Sequence, residues 1–187
     1  QSVSGGNVLS IVLAIDAAAL PGTAGGKLFA AAGETVADGK LEIRLERIGR
    51  PEIKNVLLSM KQHDTVNRDI DLRDLYNLED AFHVGPDYRG AYRARMNANL
   101  AFIDRLDGVT HWPLSPEGAH PLTELLLADF LAVDTSMPYL ETSYFEIERA
   151  MLAGRAHETC GGRSLNDDVM DTLYTLYVNG GNGPRIS

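Results

Sequence analysis

Apolar and polar residues alternate in the first quarter of the chain and recur at helical spacing in the remainder. Asn7-Val-Leu-Ser-Ile-Val-Leu-Ala-Ile15 is dense in β-branched and aliphatic residues and ends before Pro21-Gly22, which predicts a strand. Lys27-Leu-Phe-Ala-Ala-Ala32 follows Gly25-Gly26 and reads the same way. Leu41 to Ile48 alternates strictly, with Leu41, Ile43 and Leu45 on one face and Glu42, Arg44 and Glu46 on the other. One buried and one wet face is the mark of an antiparallel sheet. Asp38-Gly39 supplies the hairpin turn. The expectation is a three-stranded meander from Asn7 to Ile48. Three strands make a marginal sheet, so further strands or helices must cover it.

From Asp69 onward the period changes to that of helices. Asp71-Leu-Arg-Asp74 reads as a cap ahead of Leu75, Leu78 and Phe82. Tyr88 to Leu106 is the longest predicted helix, with Tyr92, Met96, Leu100 and Ile103 on one stripe. Pro121 to Leu131 opens with a proline suited to a first helical turn. Ser143 to Leu152 is a short helix stopped at Gly154. In the last helix Val169, Leu173, Leu176 and Tyr177 form the buried face, and Asn179-Gly-Gly ends it. Ser164-x-x-Asp167 predicts its start, with Asp167 and Asp168 in the first turn. Strands first and helices later give an α+β fold in one domain, strand-rich over 1–60 and helix-rich over 69–187.

Composition narrows the partners. The chain has 187 residues and a net charge of -9, with no run of basic residues. Nucleic acid is excluded as a partner, because phosphate binding needs clustered Lys and Arg. Membrane insertion is excluded too, since no apolar run reaches roughly 20 residues. Gln1-Ser-Val-Ser-Gly lacks the basic and apolar runs of a secretory signal. One cysteine, Cys160, rules out an internal disulfide.

Candidate chemistry gathers in two places. His157-x-x-Cys160 has the spacing of two zinc ligands, but tetrahedral zinc needs three or four, and the other histidines are scattered. Asp69 to Asp80 fails the calcium-loop pattern at its fifth, sixth and twelfth positions. Neither a metal nor a cofactor is expected. Glu146 and Glu148 diverge on a helix and do not form a hydrolytic pair. Cys160, His157 and Asp168 remain the catalytic candidates, through convergence from separate segments. Arg47-Ile-Gly49-Arg50-Pro51, with Asn55 beyond it, is placed to pair with Asp167, Asp168 and Asp171. Arg163, between two glycines and a group of acids, is expected to be buried against a carboxylate. A binding set of Arg47, Arg50, Asn55, Arg163, Asp167, Asp168 and Asp171 follows.

Four blocks together resemble one family: Asn7-Val-Leu-Ser-Ile-Val-Leu, Arg47-Ile-Gly-Arg-Pro51, His120-Pro-Leu-Thr, and Cys160-Gly-Gly-Arg-Ser-Leu-Asn-Asp-Asp-Val-Met-Asp171. They resemble, in the same order, the bacterial domain of unknown function 4331 family. That resemblance implies a periplasmic or extracellular place, at the cell envelope. It also implies that the chain is the C-terminal part of a longer protein whose N-terminal half is rich in strands. That half, or another protein chain, would complete the sheet. The family assigns no activity and no functional residues. The expected function is a structural or ligand- or protein-binding module. The alternative is a metal-dependent or cysteine-based hydrolase built on Cys160, Arg163, Asp167 and Asp168.

Overall fold

The computed structural model describes residues 10–16, 19–20, 27–40, 43–50, 52–58 and 68–181. Asn7 to Leu9, Leu41, Glu42, Pro51 and the side chains of residues 68–71, including the cap read at Asp71, lie outside the described residues. The order of elements is β1 (Leu28–Ala31), β2 (Gly33–Val36), β3 (Arg44–Ile48), α1 (Arg68–Leu78), α2 (Pro86–Asp104), α3 (Thr123–Leu126), β4 (Leu131–Asp134), α4 (Glu146–Leu152) and α5 (Val169–Asn179). A π-helical turn, Ile53–Leu57, follows β3. The fold is α+β, as the change of period predicts.

Among the described residues the meander forms only in its second half, as the hairpin of β2 and β3 about Asp38-Gly39. Residues 10–16 carry no regular structure. β1 pairs antiparallel with β4, far along the chain, placing Leu28 opposite Asp134 and Ala31 opposite Leu131. β2 pairs antiparallel with β3, placing Gly33 opposite Ile48. Ala32 alone separates β1 from β2, so residues 28–36 form one nearly continuous strand. Its two partners lie end to end along the same edge, because Gly49, after β3, sits against the Asp129 carbonyl just ahead of β4. Were they on opposite edges, a whole strand would separate Gly49 from Asp129. Among the described residues, no strand pairs with the other edge of 28–36.

Two further expectations fail in this region. The face of β3 read as buried is largely wet: Leu45 is 57% exposed, and the fully buried side chain is Arg47. Helix α1 meets the sheet at Arg47, whose guanidinium lies 3.9 Å from the Tyr76 ring centroid. The long helix expected over Pro121 to Leu131 is a single turn, α3, followed by a strand. Local propensity gives way here to a tertiary demand, since β1 needs a partner and Leu131-Ala-Val-Asp134 supplies it.

The helical core follows the periodicity closely. Tyr92, Met96, Leu100 and Ile103 of α2 pack against Leu173, Leu176 and Tyr177 of α5 and against Leu122 and Leu126. Buried polar groups tie the loops to this core. Asp104 accepts from the His111 and Trp112 amides at 2.9 and 3.1 Å, and Asn99 donates to the Leu57 carbonyl at 2.7 Å. Helix α5 starts later than expected. Asp168 is its N-cap, accepting from the Asp171 amide at 2.9 Å, and Gly180 ends it with φ +69°. Ser164 and Asp167 instead close a separate turn, with the Ser164 amide donating to Asp167.

His120 is buried with its Nδ1 accepting from the Leu122 amide at 3.2 Å. Burial pushes its pKa down to about 4. Protonating Nδ1 would also break that hydrogen bond. The unfolded chain takes up this proton near pH 6.5, so stability is full above 6.5 and falls as the pH drops towards 4. Below 4 this group removes nothing further. The loss is at most about 3 kcal/mol. Denaturant unfolding at stepped pH should show the fall, and a His120→Asn variant should be flatter between pH 6.5 and 4.

Candidate functional site

The Arg-Ile-Gly-Arg run forms a buried polar knot at the end of β3. A Cβ on Gly49 would lie 2.3 Å from the Asp129 carbonyl oxygen and 2.5 Å from the Phe130 Cα, so only glycine fits. That closeness lets Asp129 Oδ1 accept from the Gly49 and Arg50 amides at 3.0 and 2.5 Å. The Arg50 side chain, 1% exposed, crosses to Glu148 of α4 with Nη2 2.5 Å from Oε1, and donates to the Leu125 carbonyl at 3.3 Å. Its guanidinium lies between the Phe130 and Phe145 rings. Arg47 donates to the carbonyls of Glu79 and Asp80. Lys54 donates to the Arg47 carbonyl at 2.8 Å and pairs with Glu46. Beside the knot, burial pushes the Glu52 carboxyl up from its usual range, and Tyr144 donates to it at 2.9 Å.

A second cluster lies on the far side of β4. The segment 160–162 runs along this strand as its other neighbour. The Asp134 amide donates to the Cys160 carbonyl, and the Gly162 amide to the Ala132 carbonyl, both at 2.8 Å. Gly161 has φ +64°, and a Cβ there would meet the Ala132 oxygen at 2.7 Å and Ile147 at 2.5 Å. Gly161 thus serves close backbone approach, and Gly162 supplies a left-handed turn with φ +71°. Asp134 accepts from the Ser136 hydroxyl and amide and pairs with His157 Nε2 at 2.8 Å. Those bonds, led by the Ser136 hydroxyl, hold its pKa down to about 2.

The residues singled out from sequence separate into groups. Arg47 and Arg50 lie in the core, and neither pairs with Asp167, Asp168 or Asp171. Asn55 is exposed. Arg163 is exposed and makes no ion pair among the described residues, contrary to the expectation of a buried partner. Asp167 accepts from the Tyr139 hydroxyl at 2.9 Å, Asp168 caps α5, and Asp171 is buried with Thr175 donating to it at 3.4 Å. Among the described residues no hydrogen bond joins the side chains of Cys160, His157 and Asp168. His157 is engaged by Asp134. The half-buried Cys160 thiol is 3.3 Å from the Gly161 carbonyl and 4.0 Å from the Ser143 hydroxyl. Among the described residues, no group of three or more His, Cys, Asp or Glu is arranged to hold a metal. Two shallow grooves flank Arg149, with volumes of about 100 and 330 Å³. The first is small beside typical ligand sites, and the second lies at their lower limit.

Sequence reasoning missed Asp129, Asp134 and Glu148 as partners. Glu148 carried a usable signal. Acids two positions apart on a helix diverge, so Glu146 and Glu148, both buried, each need a cation of their own, and these are Arg155 and Arg50.

Among the described residues one backbone edge is open. The strand 28–36 has no strand partner there on one of its sides, and Leu28 is 57% exposed. No proline interrupts it, and between Leu28 and Gly33 there is no charge. Those are the usual devices that block a sheet edge from pairing. No family model, curated protein or solved structure matches this chain.

Breaking the knot should be costly. Arg50→Ala leaves Glu148 buried without its cation and should lower stability by about 3–5 kcal/mol. The pair Arg50→Met with Glu148→Leu should recover most of that. Arg163→Ala should change stability by less than about 0.5 kcal/mol, as for other exposed sites. Denaturant titration of the four proteins measures all three outcomes.

Proposed function

We propose that this chain is a non-catalytic binding module that works by accepting a strand from another polypeptide. The edge of 28–36, open among the described residues, carries the reading: it is long, unblocked over Leu28 to Gly33, and paired on its other side with β3 and β4. Added strands gain affinity from main-chain hydrogen bonds. The lack of a hydrogen bond between Cys160 and His157 or Asp168 among the described residues supports the non-catalytic part, because a nucleophile needs its base within hydrogen-bond reach. An extracytoplasmic place belongs to the same proposal and rests on the resemblance to the domain of unknown function 4331 family. In that setting the strand-rich half of a longer protein is a natural donor.

Synthetic extended peptides with alternating apolar and polar residues are the direct probe. Fluorescence anisotropy should detect their binding to the wild-type chain, and Ala30→Lys, which places a charge on the edge strand, should abolish it. Binding unchanged by Ala30→Lys would move the site elsewhere. A parallel screen with esterase, phosphatase, peptidase and glycosidase substrates should give no turnover that Cys160→Ala or Asp168→Asn removes.

A further inference from the structure

The larger of the two grooves beside Arg149 lies where α4 and α5 end. Helix α4 and the turn after it contribute Arg149, Leu152, Ala153 and Arg155, α5 contributes Leu176, and the loop after α2 contributes Trp112. Gly180, the C-cap of α5, lines it as well. Its volume of about 330 Å³ reaches the lower limit of small-molecule sites. The Trp112 ring is fixed in this wall, because its Nε1 donates to the Leu176 carbonyl at 2.9 Å. Leu152 is 37% exposed and extends the apolar surface.

The charge of the groove runs against that of the chain. The chain carries a net charge of -9, yet the groove is lined by two arginines and no acid. Arg155 is already engaged, its Nη1 and Nη2 donating to the two oxygens of Glu146 at 2.6 and 2.9 Å. Arg149 is half-buried, and among the described residues its side chain makes no hydrogen bond and no ion pair. Its Nη2 lies 3.6 Å from where a Gly181 Cβ would be, at the end of α5. The helix dipole favours a cation there, but it takes up none of the guanidinium N–H donors.

An apolar wall beside one unengaged guanidinium fits a ligand divided in the same way. We infer that the groove binds a small monocarboxylate with an apolar body. The carboxylate pairs with Arg149, and the apolar body lies against Trp112, Leu152 and Ala153. Arg suits a carboxylate because its planar fork offers two parallel N–H bonds. A phosphate would bring more charge than the one unengaged cation answers, and it would leave the apolar wall unused. The site is separate from the 28–36 edge and does not depend on what that edge binds.

3-Phenylpropanoate is the probe, and 3-phenylpropanamide is its neutral counterpart. Isothermal titration calorimetry should show saturable binding of the acid to the full chain, with a Kd on the order of 1 mM for a ligand of this size. The amide should bind at least about tenfold more weakly, the worth of one charge-assisted hydrogen bond. Trp112 is the sole tryptophan, so its indole N–H gives one resonance in a proton–nitrogen NMR spectrum, and the acid should shift it. Arg149→Gln should weaken binding at least about tenfold. Leu152→Glu, which places an acid in the groove, should abolish it. Arg163→Gln, at an exposed arginine that does not line the groove, should bind as the wild type does. Circular dichroism checks that each variant keeps the fold. No saturable binding up to about 10 mM, equal binding of the amide, or an unshifted indole resonance would each overturn the inference. So would full binding by Arg149→Gln or Leu152→Glu, or a loss with Arg163→Gln as large as that with Arg149→Gln.

Discussion

The carboxylate of Asp129 holds the amides of Gly49 and Arg50, and the rest of the architecture is arranged around that contact. It fixes the end of β3 against the start of β4, which aligns both along one edge of the 28–36 strand. From the same point the Arg50 side chain reaches Glu148 and brings α4 to the sheet. Three segments distant in sequence are thereby locked in one register. Burying these charges is not a route to high stability, since apolar replacements of similar volume often do as well. What the contact supplies is selection. A one-residue slip of β3 would put a side chain where only Gly49 fits and would leave Arg50 without a partner.

The sequence was most legible where contacts are local. The Tyr92, Met96, Leu100 and Ile103 stripe and the Val169 to Tyr177 face are buried as their spacing requires, because a helix decides its own faces within a few turns. Strands do not. β1 has the composition of a strand, but its partner lies about a hundred residues away, in a run whose leucines and opening proline argue for helix. The alternation of β3 was real, but alternation states only that two faces differ. Which face is covered depends on α1, and α1 meets the sheet at Arg47. Charged residues were misassigned for the same reason. Arg163 has glycines and acids as neighbours in sequence and lies in solvent. Arg50 has no acid within reach nearby in sequence, except Glu52, and pairs with Glu148.

The Cys160-Gly-Gly-Arg block illustrates how a conspicuous motif can be mainly about backbone. Gly161 lets the chain pass against Ala132 and under Ile147, and Gly162 continues the pairing with β4. The acids that follow close a turn and cap α5. Gly161, Gly162, Asp167 and Asp168 thus each have a structural task.

Trp112 is the sole tryptophan of the chain, and its indole Nε1 donates to the Leu176 carbonyl near the end of α5. Its amide is held by Asp104 at the end of α2. The fluorophore therefore sits on the seam between the two helices that make the core, and its hydrogen bonds are to residues at the ends of those helices, not to the strand 28–36. Its emission should report the docking of α5 on α2 while remaining silent to what happens at the sheet edge. The protein thus carries a built-in optical separation of its two halves, through which the cohesion of the helical core can be followed independently of anything the edge engages.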